Sequence, residues 1–135
     1  MNVGRFFGAV VAVFVVRTGL NFLYYGLAMR EKYEALMADY PGVFKEGIAG
    51  YIVTDLLFAL VLVYLWAKAG AAFGTGAKGG AIGGLWIGIL LGVVGGLYQF
   101  FSYTFIAPAD YAMDAVYQVV SVVIQGAVAG VVYKR

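Results

Sequence analysis

Four uninterrupted apolar stretches, each long enough to cross a bilayer, take up most of this 135-residue chain. A helix rising 1.5 Å per residue needs about 20 mostly apolar positions to span about 30 Å of hydrocarbon. Residues 3–29, 48–67, 80–106 and 111–133 satisfy that requirement, and nothing remains for a water-facing core. Val, Tyr and Phe are abundant, but the stretches are too long for barrel strands and lack a period-two polar alternation. The expectation is an all-α polytopic membrane protein, one domain over residues 1–135, with four transmembrane helices in an antiparallel bundle. Composition agrees: 64% of residues are hydrophobic, 12% are charged, and the mean hydropathy is +0.91. A chain this short has too little interior to hide so much apolar surface from water.

The links order the spans. Residues 30–47 carry Arg30, Glu31, Lys32, Glu34, Asp39, Lys45 and Glu46 around a Tyr40-Pro41-Gly42 turn, and 31–39 reads as a short interfacial helix. Residues 68–79 are rich in Gly and Ala, and 107–110 is a minimal turn, so successive spans are antiparallel neighbours. Arg17 interrupts the first apolar run and no small-residue cleavage site comes after it, so that run reads as a retained span rather than a signal peptide. Arg5, Lys68, Lys78, Lys134 and Arg135 share one face without acids; Arg30, Lys32 and Lys45 lie on the other among acids. The positive-inside rule then puts both termini in the cytoplasm of a bacterial inner membrane, by a margin small enough to leave dual topology open.

Absent residues exclude much chemistry. With no Cys and no His there are no disulfides, thiolate nucleophiles, imidazole-ligated metals or histidine bases. A net charge of +2 without basic runs argues against nucleic acid as a partner. Asp, Tyr and Arg can do acid/base work, but no two stand at a spacing that names a reaction, so an enzyme is not expected, nor is a cofactor or a metal.

The third span carries Gly80, Gly84, Gly88, Gly92 and Gly96, an unbroken series of GxxxG steps, with Gly126 and Gly130 repeating the spacing on the fourth span and Gly4 and Gly8 on the first. In lipid, where apolar burial gives no net drive between helices, small residues let backbones approach and make van der Waals and Cα–H contacts. One use of the ladder is packing within the chain. The other is self-association, and five successive steps exceed what one crossing requires.

Charged groups inside a span cost roughly 2.5–3.5 kcal/mol each on insertion scales and so mark candidate sites. Counted from the non-cytoplasmic edge, Arg17 lies about 18 Å deep, Asn21 about 12 Å, and Asp55, Gln99 and Gln118 about 10 Å. Asp114 stands nearer the mouth at about 5 Å, and Gln125 is deeper at about 21 Å. On the fourth span Asp114, Gln118, Ser121 and Gln125 fall at i, i+4, i+7, i+11, a single stripe; Arg17, Asn21 and Tyr24 repeat the pattern on the first. The expectation is an Arg17–Asp55 ion pair in one polar layer fed by all four spans. Such a layer can glue the bundle together or line a pocket open to the non-cytoplasmic side. The aromatic residues at the same level, among them Tyr98, Phe101 and Tyr103, read as an interfacial belt, with Trp66 and Trp86 as anchors on the opposite side.

The segment Asn21-Phe22-Leu23-Tyr24-Tyr25-Gly26, the glycine-rich third span and the ending Ile124-Gln125-Gly126-Ala127-Val128-Ala129-Gly130 resemble the small four-helix bacterial membrane proteins catalogued as domains of unknown function. That resemblance implies the architecture and brings no activity. Small multidrug transporters carry a glutamate where this chain has Arg17, and the glutathione-dependent four-helix enzymes require a histidine. The residues support two functions. The first is a non-enzymatic homo-oligomer or accessory subunit of a membrane complex, joined through the glycine ladder. The alternative is a dimeric channel or transporter for a small ion or polar solute, lined by Arg17, Asn21, Asp55, Gln99, Gln118 and Gln125.

Overall fold

The computed structural model describes residues 2–43 and 47–133. Lys45, Glu46, Lys134 and Arg135, which enter the orientation argument, lie outside them. Helix α1 spans Val3–Asn21 and runs on through a π-turn at Phe22–Ala28. The short α2 occupies Arg30–Asp39, and α3 covers Ala49–Ala69 with a 3-10 turn at Gly70–Phe73. Helix α4, Gly76–Gly88, continues through a second π-turn at Ile89–Val94 into α5, Gly95–Ser102; α6 is Pro108–Val132. No strand occurs among the described residues. Four helical runs, Val3–Ala28, Ala49–Phe73, Gly76–Ser102 and Pro108–Val132, are long and apolar enough to cross a membrane, so the chain is an all-α, multi-pass membrane protein.

The ends of these runs have local causes. The Asn2 side chain accepts the Arg5 amide at 3.0 Å and caps α1. Gly74 and Gly76 take positive φ values of 104° and 62°, which lets the chain reverse within a few residues and start the third span four residues earlier than expected. That span stops at Ser102, where Tyr103 turns extended, and Pro108 opens α6 in the first-turn position that needs no amide hydrogen. The short helix expected between the first two spans is α2, whose Arg30 pairs with Glu34 one turn on at 2.7 Å.

Helix α6 is central: it packs on α1, α3 and, most extensively, α4. Its contact with α4 is backbone against backbone. A Cβ on Gly88 would meet Val119 Cα at 2.9 Å, and one on Gly92 would meet the Ala115 carbonyl oxygen at 2.7 Å. Gly80 and Gly84 lie closer still to the carbonyls of Gly126 and Val122, and Gly126 and Gly130 are closed in the same way by Gly80 and Gly76. The ladder therefore joins two spans of one chain, and the face proposed for self-association is filled by α6. Gly96 departs from the series, with nothing within 4 Å of a Cβ built on it. The π-turn at Ile89–Val94 adds a residue to the turn and rotates the remainder of the span by about 100° from an uninterrupted α-helix, taking Gly96 off the contact face.

The half of the bundle that holds the start of α1 and the end of α6 is apolar: Phe6, Ala9, Val10 and Val13 pack on Ala59, Leu62, Val63, Trp66, Ala129 and Tyr133. The faces turned outward, such as Phe7, Val11 and Val15 on α1 and Leu57, Val61 and Leu65 on α3, suit lipid. Gly80→Ala is expected to destabilise the bundle by about 1–3 kcal/mol or more, because the obstruction is backbone that cannot move aside. Gly96→Ala should lie within about 0.5 kcal/mol of the parent. Reversible unfolding in mixed micelles measures both.

Candidate functional site: a polar layer and an interfacial crevice

The buried stripe of α1, Phe6, Val10 and Val13, is continued one turn later by Arg17; the stripe of α3, Ala59, Leu62 and Trp66, is preceded one turn earlier by Asp55. The two charges thus meet where the apolar core would otherwise go on. Arg17 Nε donates to Asp55 Oδ1 at 2.7 Å, with side-chain exposures of 11% and 8%. The expected ion pair is present, and it is more fully bonded than depth alone indicated. Asn21 Nδ2 reaches both carboxylate oxygens at 2.9 and 3.1 Å, and the Thr18 hydroxyl donates to Oδ2 at 3.2 Å. The guanidinium lies 3.8 Å over the Phe58 ring, a cation–π contact that replaces hydration on that face. Arg17 Nη1 and the Tyr24 hydroxyl are buried without a hydrogen-bond partner among the described residues.

The network extends toward the α2 end through tyrosines. Tyr117 donates to Asn21 Oδ1 at 2.6 Å and stacks flat on Tyr24, with ring centroids 3.9 Å apart. Tyr25 donates to Asp114 Oδ1 at 2.5 Å and accepts from Gln118 Nε2 at 3.2 Å. Two consecutive tyrosines face the same neighbours because Phe22–Ala28 is a π-turn, in which the wider turn brings both around to α6.

The expected single layer is thereby divided. Arg17, Asn21 and Asp55 are joined directly, and Asp114 and Gln118 form a second group through Tyr25. Gln99 is exposed and joins neither group by a side-chain hydrogen bond among the described residues, but it lines the same crevice as Asp114, and its carbonyl accepts from the Tyr111 hydroxyl at 3.3 Å. The third span offers its glycines to α6 and keeps its one amide at the edge. Gln125 is fully buried but bonds only to Ser121 Oγ, at 2.8 Å, leaving its Oε1 without a partner among the described residues. It lies in the interior below the pair.

Sequence reasoning passes over Thr18, Phe58 and Tyr117. Tyr117 has a legible signal, since it stands at i+3 from Asp114; Thr18 and Phe58 have none beyond adjacency to a helix face. The Lys32–Asp110 pair, at 2.6 Å, is equally unmarked because it closes a loop across 78 residues.

Above the second group a crevice of about 240 Å³ opens between α2, the 105–107 connection and the start of α6. Lys32, Tyr33, Phe105, Asp110, Tyr111 and Asp114 line it. Burial, with repulsion from Asp114 next, pushes the Tyr33 phenol from 10.0 up to about 12, so it stays a neutral donor at physiological pH. The described residues contain no group of His, Cys, Asp or Glu able to hold a metal ion. Comparison with protein-family models, with curated proteins and with solved structures finds no match.

Removing one partner of a buried pair strands the other charge. Asp55→Ala should therefore cost about 3–5 kcal/mol, and the double substitution Arg17→Met with Asp55→Leu should recover most of it. Micelle unfolding midpoints of the single and double variants check this.

Proposed function

We propose that this protein is a non-enzymatic membrane conduit or carrier for a small ion or polar solute. The observation that carries the reading is the succession of polar side chains from the interfacial crevice inward. Asp114, Tyr25 and Gln118 form one hydrogen-bonded group, Tyr117, Asn21, Asp55 and Arg17 form the next in the middle of α1, and the Tyr25 and Tyr117 rings meet edge to face between them. A structural lock needs the pair alone. A second polar group between the pair and the crevice supplies further donors and acceptors, and the two buried donors without partners among the described residues, Arg17 Nη1 and Tyr24 OH, favour a polar guest. On this reading the protein sits in a bacterial plasma membrane with both termini cytoplasmic, and the crevice opens on the opposite side. The resemblance to small four-helix bacterial membrane proteins fits that setting.

Flux into proteoliposomes, monitored with a pH dye and a potential dye under imposed Na⁺, K⁺ and proton gradients, tests it. Asp55→Asn keeps one oxygen to accept from Arg17 but removes the charge, so flux should fall at least tenfold while the mass in nanodiscs stays that of the parent. Parent flux no greater than in empty vesicles, or an unchanged rate in Asp55→Asn, would sink the reading.

A second reading, assembly into a homo-oligomer or larger membrane complex, draws on the cleft that flanks the glycine ladder. An apolar cleft of about 210 Å³ separates α3 from α4, walled by Leu62, Leu65 and Ile87 and floored by Gly126 and Ala129. Native mass spectrometry in nanodiscs should then give a defined oligomer that the Leu65→Ala, Ile87→Ala pair weakens. A monomer for the parent removes self-assembly from the account.

A further inference from the structure

The crevice at the α2 end has a charge balance that the polar line below it does not explain. Among its lining residues Lys32 is held by Asp110 at 2.6 Å, which cancels one positive and one negative charge. Asp114 is left as the uncompensated group. No ion pair among the described residues falls on it, and its only hydrogen bond there is to the neutral Tyr25 hydroxyl, on Oδ1. The formal charge of the crevice is therefore −1, set at its base, while Tyr33, Phe105 and Tyr111 supply aromatic walls. Its volume, about 240 Å³, falls below the roughly 300–1,000 Å³ of drug-sized sites, so the guest is small.

A half-buried carboxylate under aromatic walls is the chemistry that recognises an alkylated ammonium. The carboxylate meets the charge, and the ring faces meet the polarised methyl and methylene groups, which need no hydrogen-bond acceptors. A bare metal ion is suited less well, since it would want several oxygens and Asp110 is already engaged by Lys32. An anion is opposed by the net charge. We propose that the crevice binds small substituted ammonium cations, reached either as free solutes or as the headgroup of a phospholipid. The position suits both sources, because α2 and the start of α6 flank the ends of membrane-spanning runs. The inference stands independently of transport along the Arg17–Asp55 line, since binding is read directly and can fail or succeed without any flux.

The test is calorimetric titration of choline chloride into the full chain in nanodiscs of pure phosphatidylglycerol, at constant ionic strength, with empty discs subtracted. Saturable binding is expected, weakened at least tenfold by Asp114→Asn and unchanged by Asp39→Asn, an exposed acid at the end of α2. Lys32→Gln frees Asp110 and takes the crevice from −1 to −2, so it should tighten binding at least threefold; this variant also serves if Asp114→Asn does not fold. Repeating the titration in phosphatidylcholine discs separates the sources. Loss of the signal there identifies the lipid headgroup as occupant, and an unchanged signal identifies a free solute; either outcome supports the proposal. No saturation in phosphatidylglycerol, equal affinity in Asp114→Asn, or no tightening in Lys32→Gln overturns it.

Discussion

The backbone contact between α4 and α6 sets the rest of the arrangement. In lipid the gain from pressing two helices together comes from packing, so the pair with the least side chain between its backbones packs most closely. Gly80, Gly84, Gly88 and Gly92 are that surface on one side, and Ala115, Val119, Val122, Gly126 and Gly130 on the other. The polar residues of α6 stand one position before members of this series: Asp114 before Ala115, Gln118 before Val119, Ser121 before Val122, Gln125 before Gly126. One residue is about 100° of rotation, so fixing the glycine face on α4 turns the polar stripe toward α1. The orientation of Asp114 and Gln118 toward Tyr25 is a consequence of glycines on a third helix.

The charges in the middle of α1 and α3 are managed by enclosure. A buried pair survives when its remaining hydrogen-bonding capacity is met, because desolvation otherwise outweighs the attraction. Asp55 meets that condition with Thr18, Asn21 and Arg17 together, and Phe58 covers the guanidinium face. What this enclosure leaves over is one arginine nitrogen and one tyrosine hydroxyl, the latter on the ring stacked against Tyr117. The bundle is therefore divided by depth into a mainly apolar half, in which Ser121 and Gln125 are the buried polar residues, and a polar half, with the ion pair at the boundary.

Depth and period are enough to foresee the four spans, the α2 helix and the Arg17–Asp55 pair, because each depends on hydrophobicity and a regular 3.6-residue turn. They are not enough for Gly96, which comes after the π-turn at Ile89–Val94, where a count that assumes uniform α-helix carries the wrong angle. The paired use of Tyr24 and Tyr25 is hidden by the other π-turn in the same way. Lys32 and Asp110 lie toward connections whose path periodicity does not describe. The ladder itself is plain in the residues, but whether its partner is in the same chain is a matter of topology; the short Gly74–Gly76 turn and the central place of α6 decide it.

The two π-turns have an evolutionary implication. A single-codon insertion into an α-helix is commonly absorbed as one wide turn, leaving the rest of the span in place. Deleting one residue from Phe22–Ala28 would restore an ordinary helix, still long enough for the membrane, and swing the earlier part of α1 by about 100° relative to the tyrosines. The registry between the ion pair and the aromatic group is thus a heritable setting that one insertion or deletion can change, while the glycine contact that holds the bundle together is left untouched.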